Sequence, residues 1–202
     1  MDSDLAESIS SLKSSFDSRG RKLRLGKADA ELVRALHQKL RIPRRYRDFL
    51  SECDPISVEM ITPAERIQLL SATELEQAQV GFCLGPDGTP IKTPSSSGWR
   101  PAWVIIATSA LLGDPYFLDT SKPDAEGDCP VYTAMSGTEV WQPKLCASTF
   151  ALFLRILSIG MDVAGGFDLN DYDVDNEQVF REALGPKIRE HDPAALKAGH
   201  WT

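Results

Sequence analysis

The sequence predicts an α+β fold: a mostly antiparallel sheet of about four to six strands with helices packed on it. Three observations carry that expectation. Residues 1–50 repeat apolar side chains at helical spacing, the chain after Pro55 turns to short strand-like runs, and helical spacing returns at Phe150. Helices, then strands, then helices is the order of an α+β domain, not of alternating βαβ units. The 202 residues are 42% hydrophobic and 25% charged, which excludes a collagen, a coiled-coil rod and a fully disordered polymer.

Leu5, Ile9, Leu12 and Phe16 form one stripe of an amphipathic helix, and Asp4 with Glu7 makes a capping-box-like start. Gly20 and Gly26 break the pattern in RGRKLRLGK at 19–27, which reads as a basic link. A second helix covers about 28–41, with Leu32, Leu36 and Leu40 on one face. Pro43 suits the first position of a third helix, where its missing N–H costs nothing. That helix carries Tyr46, Phe49 and Leu50 on one side and Arg44, Arg45 and Arg47 towards the other. Val58 and Met60 alternate with polar neighbours, and IQLLS at 67–71 supplies a further strand. Thr73, with Glu76 three residues on, caps a short helix through Gln79. Residues 81–101 hold four Gly, four Pro and Ser95-Ser96-Ser97, a long loop of the kind that is functional or disordered. Trp103 to Ala107 is a continuous apolar run, the mark of a central strand covered on both faces. Pro115–Asp119 and a run from Cys129 to Thr133 follow as strands. Ser136-Gly137 turns a hairpin between 131–134 and 138–142, because Gly adopts a positive φ at little cost. Phe150, Phe153, Leu154 and Leu157 mark a last long helix whose other face, with Leu152, Ile156 and Ile159, is apolar too and so deeply buried.

Charge divides the chain. Residues 1–50 hold 12 Lys+Arg against 7 Asp+Glu, whereas 51–202 hold 10 against 22, within a net charge of −7. Residues 19–47 contain 11 of the basic residues, so phosphate tracking by Arg44, Arg45 and Arg47 is one reading. Only Tyr46 interleaves an aromatic ring, so nucleic acid is the weaker expectation; arginines docked on the acidic body or facing solvent are the simpler one. No apolar run approaches the roughly 18 residues of a membrane span. The start, MDSDLAESIS, places acids where a secretion signal carries Lys or Arg and an apolar stretch. Cys53, Cys83, Cys129 and Cys146 form no CxxC pair, and His37, His191 and His200 have no ligand spacing to them. Free buried thiols in a cytoplasmic protein, with no metal and no cofactor, are expected. No phosphate-loop Lys follows Gly85–Gly88 and no Gly-x-Ser-x-Gly elbow occurs, so no catalytic residue is assigned.

Four stretches, in order, resemble the SUKH superfamily, which includes fungal cell-wall-synthesis regulators and bacterial toxin-immunity proteins. Ile42-Pro43-Arg44-Arg45-Tyr46-Arg47-Asp48-Phe49-Leu50 is similar to the family's (L/I)P..Y..FL helix. Residues 69–75 match its strand-then-helix step, and 103–120 its paired strands, with Gly113-Asp114 and Leu118-Asp119. Val131-Tyr132 through Leu157 resembles its closing pattern, here with Glu139, Trp141, Phe150, Phe153 and Leu154. The likeness spans about residues 28–160. It leaves 1–27 as an N-terminal helical extension with a basic link, and 161–202 as an acidic loop with a C-terminal helical extension. The chain departs from the pattern at Cys53-Asp54-Pro55, where the family often has a Gly-rich turn, and in the length of the 81–101 loop. The resemblance implies a non-catalytic protein-binding domain, an immunity protein that binds and neutralises a cognate toxin, for which a basic nuclease is the fitting case. An acidic body would complement a basic cleft and speed encounter. A nucleic-acid-associated or cell-wall-related regulator that uses the basic N-terminal helices is the alternative.

Candidate partner contacts follow. Trp99 beside Arg100 in the 81–101 loop has the composition of an interface anchor. Asp114, Asp119, Asp124, Glu126 and Asp128 cluster at strand ends and the following turn, where turn formation is the competing role. Asp171, Asp173 and Asp175 belong to an acidic stretch at 161–177. With Glu182 they match the EF-hand spacing 1, 3, 5, 12, but Gly160, Gly165 and Gly166 argue against the entering helix. Acids that complement the N-terminus of a helix at 177–184 are the expected role.

Overall fold

The computed structural model describes residues 2–169 and 174–202. Helix α1 (Ser3–Ser18) buries the expected Leu5, Ile9, Leu12 and Phe16. Its cap is Asp2, whose carboxylate accepts from the Leu5 N–H, so the start lies two residues before the expected Asp4. The basic link contributes β1 (Leu25–Gly26). Helix α2 (Ala30–Leu40) is capped by Asp29 and buries Val33, Leu36 and Leu40, with Leu32 at the edge of that face. Pro43 is the N-cap of α3 (Arg44–Cys53), one position outside the helix, where its φ of −68° still suits the entry. Helix α3 buries Tyr46, Phe49 and Leu50 together with Arg45, which the helical pattern had placed on the polar side. β2 (Asp54–Pro55) pairs antiparallel with β1. Asp54 also accepts from the Ala72 N–H at 2.7 Å, so the Asp-Pro step both pairs with β1 and caps the start of the next helix.

Six strands then form one antiparallel meander in chain order: β3 (Val58–Ile61), β4 (Arg66–Leu69), β5 (Trp103–Ser109), β6 (Pro115–Asp119), β7 (Val131–Thr133) and β8 (Lys144–Ala147). The fold is α+β, as expected. Helix α4 (Ala72–Ala78) lies between β4 and β5 and is capped by Ser71 with Glu74, not by Thr73 with Glu76. Glu76 instead reaches across to Lys39 on α2 at 2.6 Å, which leaves it unable to close a capping box. Where the β5 register shifts between Ile105 and Ala107, the buried Gln79 side chain donates to the Ile105 carbonyl and accepts from its N–H, both at 2.9 Å.

The hairpin after β7 differs from expectation. Ser136-Gly137 does turn the chain, with Gly137 at φ +79°, but 138–142 is not a strand, and the partner of β7 is β8 at 144–147. Pro143 lacks the N–H a ladder needs. The intervening chain instead lays Trp141 against Trp99, with its backbone N–H bonded to the Ser97 carbonyl. Helix α5 (Phe150–Ala164) extends past the expected stripe and is apolar on nearly all sides. α6 (Val174–His191) and α7 (Pro193–Lys197) complete the described elements.

Neighbouring residues of β6 show what covers each side of the sheet. Tyr116 meets Phe153 of α5, whereas Phe117 meets Trp99, Trp103 and Tyr132. One face is therefore sealed by α5, which in turn lies beneath α1: Ser15 and Ser158 approach to 2.8 Å where the two helices meet. The other face is covered by Phe82 and Trp99 of the 81–101 segment and by Trp141. Among the described residues no helix is long and apolar enough to cross a membrane.

Candidate functional site

The site begins with a buried carboxylate. Asp128, fully inaccessible, accepts from the N–H groups of Cys129 (2.6 Å), Phe150 (2.9 Å) and Ala151 (3.1 Å). It therefore sits on the first turn of α5, where free N–H groups and the helix dipole favour an anion. Arg45 of α3 donates to the same carboxylate at 3.1 Å and, through Nε, to Asp2 at 2.8 Å. Burial pushes the Asp128 carboxyl up, and the three N–H donors and Arg45 offset part of that rise. At Asp2 burial is outweighed by the Leu5 N–H and Arg45, which hold its carboxyl below its usual range. This node ties the start of α1, α3 and the start of α5 to one point.

Over the node lies a cleft of about 340 Å³. Asp4 and Glu7 of α1 form one wall, and Asp124 and Glu126 of the β6–β7 connection the other, with Arg155 and His191 also on the lining. All four carboxylates are exposed, and among the described residues none has an ion-pair partner. The connection is built to keep this shape. Asp124 accepts from the Asp128 N–H at 2.7 Å, and the Arg44 guanidinium donates to the Glu126 carbonyl. Gly127 adopts φ +72°, a conformation that favours glycine, and a Cβ there would stand a tight 3.1 Å from the Arg44 Cβ.

The sequence candidates separate into several places. Asp124 and Glu126 line the cleft, whereas Asp128 lies beneath it. Trp99 is 2% exposed, packed among Phe82, Trp103, Phe117 and Trp141; it is a core anchor for its loop, not an interface anchor, because the open sheet face needed a large ring to cover it. Arg100 is exposed and lies over the Trp103 ring at 5.4 Å. Asp119 is also buried and turned inward: it accepts from the Ser121 hydroxyl and N–H and pairs with Lys122 at 3.1 Å. Burial acts against its ionisation, but Ser121 and Lys122 hold its carboxyl below the usual range. Asp114 is half-buried and accepts from the Ser136 N–H at 2.6 Å, fixing the turn after β7. Asp171 and Asp173 lie outside the described residues. Asp175 is exposed in the first turn of α6. Glu182 is on the same helix seven residues on, about 10 Å along the axis, a separation that an EF-hand loop does not have. Among the described residues no group of three His, Cys, Asp or Glu side chains could hold a metal ion.

Sequence reasoning missed Asp2, Asp4, Glu7 and the burial of Arg45. The (L/I)P..Y..FL helix did place Arg45 beside Tyr46, and the family comparison now decides what that helix belongs to. The model of the SMI1 / KNR4 family (SUKH-1) matches residues 27–156. The chain belongs to the SUKH-1 family. No curated protein matches it. The SUKH-1 match runs from Lys27 into α5, so it includes Arg45, Asp124, Glu126 and Asp128 but leaves out α1. The cleft is thus composite: one acidic wall belongs to the SUKH-1 region, the other to the helix that precedes it.

Proposed function

We propose that this SUKH-1 chain is a non-catalytic binding protein of the cytoplasm that neutralises a basic toxin, with the acidic cleft as its contact surface. The convergence of four unpaired carboxylates from two separate segments carries the reading. A nuclease toxin must present cations to phosphates, and such a surface complements this cleft in charge and gains encounter rate from it. The strongly perturbed groups Tyr46, Cys83, Tyr116, Cys129, Cys146 and His200 do not line the cleft, which favours binding over acid–base catalysis there. Four free cysteines suit a reducing compartment. The basic head is largely spent on the chain itself: Arg45 pairs with Asp2 and Asp128, Lys27 with Glu52 and Lys39 with Glu76, while Arg19 and Arg21 bond to backbone carbonyls. That distribution favours a protein partner over nucleic acid.

Affinity capture of the full chain, co-expressed with the products of its neighbouring genes, tests the reading. Recovery of a basic protein is expected, with affinity at least tenfold lower for the Glu7→Lys/Glu126→Lys double variant and steeply reduced by salt. Capture that ignores the charge reversal, or recovery of nucleic acid that is lost on Arg44→Glu/Arg47→Glu, would overturn it.

A further inference from the structure

A second concavity lies on the sheet face that carries Phe117. Trp103, Tyr132 and Trp141 line an open groove of about 350 Å³, and the Val140 side chain beside them is 53% exposed. Most of its polar side chains are donors. Lys122 donates to the Tyr132 hydroxyl oxygen at 3.3 Å, which leaves the hydroxyl proton to point elsewhere. The Trp103 and Trp141 indole N–H groups have no acceptor among the described residues. Arg100 lies over the Trp103 ring with no carboxylate partner there. Asp119 is the groove's lone side-chain carboxylate, and Ser121 and Lys122 already engage it.

Rings and donors without a free side-chain acceptor select a particular ligand chemistry. A segment rich in N–H groups would bury them unmet. A proline-rich segment instead presents carbonyl acceptors and no N–H, holds the extended polyproline conformation in advance, and packs its pyrrolidine rings against the part-exposed Trp141. The faces of Trp103 and Tyr132 are already occupied by the cations of Arg100 and Lys122, at 5.4 and 5.1 Å, so a basic ligand is repelled and an acidic flank attracted. We propose that this groove docks a proline-rich, acid-flanked segment of a partner protein in the polyproline conformation. The site is separate from the acidic cleft and selects the opposite charge.

The probe is a fluorescein-labelled peptide of two glutamates followed by eight prolines, with a Gly-Ser peptide of equal length and charge as control; anisotropy reads binding to the full-length chain. The proline peptide should bind at least tenfold more tightly than the control. Trp141→Ala should lose at least tenfold, and Arg100→Glu should abolish the preference for a glutamate over a lysine flank. The cleft variant Glu7→Lys/Glu126→Lys should leave the affinity unchanged, which separates this site from the proposed toxin contact. If Trp141→Ala lowers thermal stability, Arg100→Glu and Tyr132→Ala at the groove surface give the same reading. Equal binding of both peptides, indifference to all three groove variants, or concentration-dependent self-association of the chain with no peptide response would overturn the proposal.

Discussion

Asp128 shows how far a single residue can be read from sequence. Its position in a turn was legible, but its burial was not, because the groups it satisfies, Phe150 and Ala151, lie more than twenty residues on and join it only in the folded chain. A surface carboxylate can be removed at little cost; this one cannot. Asp128→Ala should cost about 3–5 kcal/mol, because it leaves the buried Arg45 guanidinium with Asp2 alone and strips the first turn of α5 of its acceptor. Chemical denaturation checks this, and a loss under about 1 kcal/mol would show that the node is not a structural anchor. Tyr46 is the converse. The motif that singled it out is a packing pattern, and its ring does pack edge-on against Phe150 at 4.9 Å, but its buried hydroxyl has no partner among the described residues. Tyr46→Phe removes an unmet donor without changing the ring, so the variant should be at least as stable as the parent, by about 1 kcal/mol if the full penalty is recovered. A clear drop in melting temperature would mean that the hydroxyl is needed.

Elements were more legible than residues, since hydrophobic spacing survives whatever covers it. The stripes of α1, α3 and α5 and the unbroken run of β5 each state their own burial. What spacing does not state is what lies on top. α5 reads as buried on all sides, but only the folded chain shows that α1, from outside the SUKH-1 match, closes its outer face through Leu5, Leu12 and the Ser15–Ser158 contact. The strand after β7 was misplaced for a related reason: Thr138 to Gln142 looks extended, but Trp141 is drawn to the aromatic cover of the opposite sheet face and the ladder resumes only after Pro143. Two measurements follow for α1. Leu12→Ala, at a 2% exposed position, should cost about 2–5 kcal/mol. Removal of residues 1–20 should go further and expose the apolar face of α5, giving a chain that binds a hydrophobic dye and unfolds without a sharp transition. A truncated chain that melts cooperatively near the parent would make α1 an appendage and leave the cleft with only one wall of structural origin.

At the scale of the whole molecule, the net charge of −7 averages a basic head, several of whose cations pair within the chain, and an acidic body. Composition gave the sign of that asymmetry but not the cleft, because the fold brings two acids of the basic head, Asp4 and Glu7, to those of the β6–β7 connection. The far end of the chain carries a second whole-molecule property, which composition hides. His200 stacks edge-on against Trp201 at 4.4 Å and contacts the Tyr116 hydroxyl at 3.2 Å, while Trp201 donates to the Cys146 carbonyl at 2.8 Å, so the C-terminal residues are fastened under the sheet. Burial, with Arg181 and Lys144 nearby, pulls the His200 ring down to about 3. An unfolded chain takes up that proton near pH 6.5, whereas the folded chain refuses it down to about pH 3, so the unfolded state binds more protons across this window. The stabilisation is therefore complete above pH 6.5 and is lost as pH falls towards 3, at about 1.4 kcal/mol per unit. Carboxylates titrate in the same range, so the parent curve alone does not isolate the effect. The difference between the parent and His200→Gln, which keeps a polar group for Tyr116, does. That difference should shrink steadily in the parent's disfavour between about pH 6 and pH 4, and a flat difference across this interval would show that the ring is accessible and the C-terminal fastening loose.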